Sequence, residues 1–338
     1  MKLTIGVKAL NEERHIAETL ASALRAAEPV GGEVVLADSG STDRTLEIAS
    51  ALPVRVVQLA DPSQRSCGAG AQLAFQQADG DYFYLMDGDM VLHPDFLPAA
   101  IAHLEASPEL AAVGGRVREM NTQGHDFKIR AMTVNSDRHW RPGLVDRLDG
   151  GGLYRVSAIR DVGYFADRNL RAFEEFDLAA RLASRGWKLA KIDHLAVEHY
   201  GHQTEGYKML WRRLTSGYAG ASGEVLRGAL GQPHLPIVLR RLSHLRNGLA
   251  VMAWWAALVA ALVCPLPAIA RLTVFAALLL GPLALLIWRR GSLSLGLYSL
   301  VSWNVAAFGL IIGFCRRRVA PARALEAVTL STSSRPHD

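Results

Sequence analysis

The chain has 338 residues, half of them apolar, with a formal net charge of +5 and three cysteines. Cys67, Cys264 and Cys315 are scattered and lack metal-ligand spacing, which excludes a disulfide framework and a cysteine zinc site and suits a reducing compartment. The basic excess flanks apolar stretches without interleaved aromatics, so it points to lipid headgroups and to no nucleic-acid partner.

The opening "MKLTIGVKALNEERH" holds an apolar run over Leu3 to Val7 that is too short for a signal-peptide core. It reads as a first strand, and the expectation is a cytoplasmic domain. "NEERHIAETLASALRAA" follows with Ile16, Leu20, Ala23, Leu24 and Ala27 at helical period. "GGEVVLAD" is a second strand, and "STDRTLEIASAL" a helix with Ser41 or Thr42 as its expected N-cap. "VRVVQLA", "GAGAQLAFQQA" and "DYFYLMDGD" continue the alternation as strand, helix and strand. Strands alternating with helices predict an α/β fold with a mostly parallel sheet covered on both faces. In such sheets ligands bind outside the carboxyl ends of the strands. The polar clusters fall there: Asn11 and Glu12 after strand one, Asp38 to Asp43 after strand two, Asp87 to Asp89 after strand four.

Beyond residue 110 the pattern loosens. "AAVGGRVREM" reads as a strand, 121–149 as irregular, and "AFEEFDLAARLASRGWKLAKI" as a helix ended by Gly186 and followed by a strand. The domain reading is a catalytic part over 1–205, amphipathic interfacial helices over 206–247, membrane helices over 248–318 and a polar tail over 319–338. Tyr207, Leu210, Trp211, Leu214 and Tyr218 repeat at helical spacing beside Arg212 and Arg213, which suits a membrane interface. Apolar spans are predicted at about 248–270, 272–288 and 293–315, separated by Arg271 and by Arg289–Arg290, with "CPLP" at 264–267 breaking the first. Three crossings from a cytoplasmic domain would leave Arg316 to Arg318 outside, against the positive-inside rule.

Two aspartates at spacing two, Asp87 and Asp89, suit a hard divalent cation such as Mg²⁺ or Mn²⁺ held together with substrate phosphates, or simply a solvated turn. Asp38, at a strand tip, is placed to accept from a base N–H or a ribose hydroxyl, while Ser41 and Asp43 suit helix capping. No phosphate-binding P-loop is present, so phosphates are left to a metal and to side chains such as Arg65. Glu174, Glu175 and Asp177 crowd a helix start, where they favour the helix dipole or supply a general base. Spacing alone does not choose among them.

Taken together, "NEERHI", "ADSGSTDRT", "FYLMDGDM", "GGGLYR" and "EEFDLAARLASRGWKL" resemble, in this order, the family 2 glycosyltransferases with the GT-A fold, over roughly residues 1–200. The resemblance implies a Rossmann-like nucleotide-diphospho-sugar transferase domain and a metal-dependent, inverting sugar transfer from a UDP- or GDP-linked donor. By the same resemblance Asn11, Glu12, Asp38, Ser39, Arg65 and Asp87 would bind the nucleotide sugar, and Asp89, Asp87 and His199 the metal. Glu175 would be the base, with Asp177 next. Gly151, Gly152, Glu174, Trp211 and Arg212 would face the acceptor. Two departures from the family pattern stand out: Ser39 replaces a second aspartate, and Glu175 replaces the aspartate of a Glu-Asp pair. The expected acceptor is lipid-linked or a glycan, in cell-envelope polysaccharide synthesis at the inner membrane. A non-catalytic nucleotide-sugar binding protein and a nucleotidyltransferase are the alternatives.

Overall fold

The computed structural model describes residues 2–120, 141–201 and 206–331. They fall into two compact units, one built from 2–120, 141–201 and 318–331, the other from 206–317. Residues 121–140 of the segment read as irregular lie outside the described residues.

The first unit begins with β1 (Leu3–Ala9), α1 (Ile16–Ala27), β2 (Glu33–Asp38), α2 (Thr45–Ser50), β3 (Arg55–Leu59), α3 (Cys67–Phe75) and β4 (Tyr82–Asp87). Strand β1 shows why the alternation folds this way. Leu3, Ile5, Val7 and Ala9 point to one face and join α1 in one core. Gly6, on the other face, packs against Phe83 and Ala74, as the two-residue period of a strand requires. The unit continues through β5 (Met90–Leu92), α4 (Phe96–Glu105), β6 (Leu110–Glu119), β7 (Gly143–Val145), β8 (Gly152–Arg155), α5 (Val156–Asp161), α6 (Glu174–Ser184) and β9 (Lys188–His199).

The sheet runs β10-β3-β2-β1-β4-β8-β6-β9-β5, with β7 paired to β9 and β10 formed by Ala327–Ser331. Strands β3, β2, β1 and β4 are mutually parallel, as predicted. The other half is mixed: β8 lies antiparallel between β4 and β6, β6 runs parallel to β9, and β5 and β7 are antiparallel to β9. One core lies under α1 and α4, the other under α3, α5 and α6.

One sequence expectation is corrected and one extended. The helix after β2 starts at Thr45 rather than Ser41 or Thr42, because Asp43 accepts from the Thr45 N–H at 3.0 Å and its hydroxyl at 2.6 Å. The segment after Arg318, read as a polar tail, also contributes to the sheet, supplying β10 antiparallel to β3.

The second unit holds α7 (Gly206–Thr215), α8 (Ala221–Ala229), α9 (Leu235–Arg241), α10 (Ser243–Val263), α11 (Ala268–Arg290) and α12 (Leu293–Cys315). The last three are long and apolar enough to cross a membrane. The first break falls at Cys264–Pro267, as "CPLP" predicts, and Arg271 lies in the first turn of α11. Proline at 265 and 267 ends one helix and starts the next.

Candidate active site

The site assembles at the carboxyl ends of β1, β2 and β4. The loops after β1 and β2 are laced to each other: the Asn11 N–H donates to Ser41 Oγ at 2.8 Å, and the Thr42 N–H donates to Asn11 Oδ1 at 2.8 Å. Asn11 takes a left-handed backbone, φ 58°, to do so, a region where asparagine is tolerated better than most side chains. The Glu12 N–H donates to Thr45 Oγ1 at 2.8 Å, which sets the Glu12 side chain toward the aspartate loop. There Gly88 admits it, since a Cβ at Gly88 would stand 2.9 Å from Glu12 Cγ.

Asp38 is wholly buried. Its Oδ2 accepts from the Gly40 and Ser41 N–H groups at 2.8 and 2.9 Å and from Gln58 Nε2 at 3.0 Å. Its Oδ1 is buried with no partner among the described residues. A buried acceptor without a donor is costly, and a ligand N–H or hydroxyl would relieve it. Ser39, also buried, sits beside it.

Lys8 lies on the same face of β1 as Gly6 and reaches two carboxylates: Glu174 Oε1 at 2.8 Å and Asp87 Oδ1 at 3.1 Å. Burial works against its charge, yet Asp87 and Glu174 hold its pKa well above the usual lysine value. Thus one ammonium ties the aspartate loop to the start of α6. That start is set by Phe173, whose φ of 64° is the second left-handed non-glycine backbone among the described residues. Glu175 follows Glu174 into this region. Burial first, then Glu174, raise the Glu175 pKa well above the usual carboxylate value, while Lys8 pulls the other way. A carboxylate whose proton affinity is raised in this way is the stronger base toward an acceptor hydroxyl.

Asp177 is placed differently. Its Oδ2 accepts from Arg181 Nε at 2.8 Å, and Arg181 also donates to the carbonyls of Tyr164 and Phe165 at 2.6 and 2.7 Å. Asp177 is therefore engaged in fixing the loop before α6, and the geometry favours Glu175 over it as the base.

Asp89 is buried at the end of the aspartate loop, with its Oδ2 3.5 Å from His199 Nε2. The other ring nitrogen of His199, Nδ1, is 2.8 Å from Glu119 Oε2. Burial opposes the imidazolium, but hydrogen bonds to Asp89 and Glu119 push its pKa up to about 10. Glu12 is raised to about 7 by burial and by Asp89 and Asp87. Asp87, Asp89, Glu12 and Glu119 make a field that calls for a cation, and protonated His199 supplies one. No set of three His, Cys, Asp or Glu side chains forms a metal cage among the described residues. Mg²⁺ and Mn²⁺ do not need one, because they take one or two carboxylates together with substrate phosphates. Asp89 fits that donor set, and His199, oriented by Glu119, joins it once its Nε2 has given up its proton, a carboxylate behind a ligating histidine being a recurrent arrangement.

Among the other predicted residues, Gly151 adopts φ 92° and lies against the Leu85 carbonyl, and Gly152 opens β8 beside β4. Both belong to the same unit as the carboxylates. Arg65 is exposed after β3 and forms no ion pair among the described residues. Trp211 and Arg212 belong to the second unit, both exposed on α7. Sequence reasoning missed Lys8, Gln58 and Glu119. Lys8 alone left a signal, as a charge inside the otherwise apolar first strand.

Residues 4–163 match the family model described as "Glycosyl transferase family 2". Among curated relatives, glucomannan 4-beta-mannosyltransferase 7 of Arabidopsis thaliana is 30% identical over 130 residues, covering 35% of this chain and 22% of that protein. The chain thus spans about a quarter or less of the length of such plant relatives. Among solved structures, the mannosyltransferase PcManGT from Pyrobaculum calidifontis, in complex with GDP-Man and Mn²⁺, superposes with a TM-score of 0.58 at 21% identity, covering 90% of this chain and 86% of that one. S. aureus TarS 1–349 gives a TM-score of 0.53 at 18% identity, covering 93% and 81%.

Proposed function

We propose that the chain, whose residues 4–163 match the family model of the family 2 glycosyl transferases, is a metal-dependent, inverting glycosyltransferase that moves a sugar from a UDP- or GDP-linked donor to a lipid-linked or glycan acceptor. The catalytic unit works at the cytoplasmic face of the inner membrane, in cell-envelope polysaccharide synthesis. The observation that carries this reading is Lys8, which joins Asp87 at the donor end to Glu174 beside Glu175 at the acceptor end.

The nucleobase or ribose of the donor satisfies the free oxygen of Asp38, in a pocket also lined by Asn11, Glu12 and Ser39. Arg65 meets the phosphates. Asp89 and His199 would hold Mg²⁺ or Mn²⁺, with Asp87 held beside them by Lys8; when bound, the ion neutralises charge that builds on the leaving diphosphate. Glu175 takes the proton of the acceptor hydroxyl as its oxygen attacks the anomeric carbon from the side opposite the diphosphate, which inverts that centre. Gly151, Gly152 and Glu174 shape the acceptor side, and Trp211 and Arg212 serve membrane or acceptor contacts. That a solved neighbour binds GDP-Man and Mn²⁺ supports both the donor class and the ion.

The test is a panel of UDP- and GDP-sugars with and without Mn²⁺, read as donor turnover and thermal stabilisation of the purified chain. One donor should respond only with metal, and Asp89→Ala should abolish that response while leaving the unfolding transition cooperative. Unchanged turnover in Asp89→Ala would overturn the metal assignment.

A further inference from the structure

The number of membrane crossings follows from features found separately in each unit, given the membrane reading above. In the first unit, the residues that follow the last apolar helix are fastened to the sheet along their length. Arg318 pairs with Asp167, and Asn169 donates to the Val319 carbonyl and accepts its N–H, both at 2.8 Å. Arg168 donates to the carbonyls of Arg323 and Ala324 at 2.9 and 3.0 Å. The Gln76 amide accepts the Leu325 N–H at 2.9 Å and donates to its carbonyl at 3.1 Å, and the Leu325 side chain is buried in the core beneath α3. Then β10 pairs with β3. A strand of a sheet occupies the same compartment as the sheet. The chain between residues 201 and 318 therefore crosses a bilayer an even number of times, whereas three helices are long enough to cross.

Inside the second unit the helix directions identify the one that stays. The Trp255 indole of α10 donates to Asn304 Oδ1 of α12 at 2.7 Å. Earlier on α10, a Cβ at Gly248 would meet Leu310 at 3.2 Å, further along α12. Partners on α12 run backward as α10 runs forward, so the two helices are antiparallel. Helix α11 leaves the end of α10 through Cys264–Pro267 and reaches the start of α12 through Gly291–Ser292. The end of one antiparallel helix and the start of the other lie at the same level, and α11 joins them.

We infer that α10 and α12 are the two membrane spans, and that α11 is a lipid-embedded helix that does not cross, its two ends both in one headgroup layer, at the level where α10 ends and α12 begins. Its chemistry agrees. Arg271 near one end and Arg289–Arg290 at the other are then positioned for phosphates of one leaflet. Pro282 inside α11 cannot donate to the Leu278 carbonyl, and the Trp254 indole does so at 2.8 Å, which keeps that group satisfied in lipid. Two crossings also place Arg240, Arg241 and Arg246 before α10 on the same side as Arg316, Arg317 and Arg318 after α12, and that side is the cytoplasmic one by the positive-inside rule. The conflict that three crossings create with the last arginine cluster disappears.

The native cysteines supply the test, because Cys264 lies between α10 and α11 and Cys315 ends α12. Right-side-out and inverted membrane vesicles carrying the full chain are treated with an impermeant maleimide, and the labelled peptides are mapped by mass. Cys264 should react from one face and Cys315 only from the other, in chain that resists carbonate extraction. The Ser292→Cys variant should add a thiol that reacts from the Cys264 face, so the result does not hang on one thiol. Cys264 and Cys315 reacting from the same face, or the introduced thiol reacting from the face opposite Cys264, overturns the inference with the chain still in the membrane. Carbonate extraction with every thiol reacting from one face instead removes the membrane reading itself.

Discussion

The surroundings of Glu175 raise its affinity for a proton, and this has a measurable sign. Its folded pKa is raised above the unfolded value, chiefly by burial and by Glu174. Between the two values the native chain binds a proton that the unfolded chain has lost, so this group's contribution to stability declines as pH rises through that window. Glu175→Gln, which cannot ionise, should therefore raise the unfolding temperature at pH 7 to 8 and flatten its decline from pH 5 to 8, while transfer falls by about 10²-fold or more. Calorimetry and initial rates on the same preparation check both. An unaltered pH dependence of stability would mean that Glu175 is not the group holding the proton. Lys8 makes the complementary case. Lys8→Met leaves Glu174, which is 6% exposed, without its cation, at a cost of about 3–5 kcal/mol for breaking a buried pair. It also removes the charge that lowers the Glu175 pKa, so the acid limb of the pH–rate profile should move to higher pH.

At the scale of elements, the parts legible in the sequence are those whose pattern is local. The run from β1 to β4 alternates apolar strand with amphipathic helix, and each polar cluster of the candidate site sits where a strand of that kind ends. The antiparallel half was not legible, because β8 is four residues long and is defined by its neighbours β4 and β6. Glu119 and Gln58 became site residues only through pairing: β6 brings Glu119 beside His199 of β9, and β3 brings Gln58 beside Asp38 of β2. Asp177 and Glu175 looked equivalent in sequence, and Arg181 one turn later separated them. Small residues in the second unit form another nonlocal pattern. A Cβ at Gly313 of α12 would collide with the Gly220 carbonyl, whereas one at Gly281 of α11 would meet nothing within 4 Å. Gly313→Leu should destabilise the second unit by at least the ~1–3 kcal/mol typical of overpacking. Gly281→Ala should be neutral or gain up to about 1 kcal/mol from helix propensity. Thermal unfolding in detergent compares the two.

For the molecule as a whole, the first unit is made from two separated stretches of the chain, with the three long apolar helices encoded between them. Removing residues 319–338 deletes none of the site residues, yet it strips Leu325 from its core and leaves β3 as an open edge. The truncated chain should unfold at lower temperature and aggregate at the sheet edge, with reduced yield but donor affinity preserved in the fraction that stays folded. Light scattering and donor titration distinguish this from a direct role in binding. The tail has one more consequence, in the order of synthesis. A ribosome working from the amino terminus completes β1 to β9 first, then every apolar helix, and only then the strand that closes the sheet. A nascent chain consequently waits with an unfinished edge at β3 until its three long apolar helices have been made.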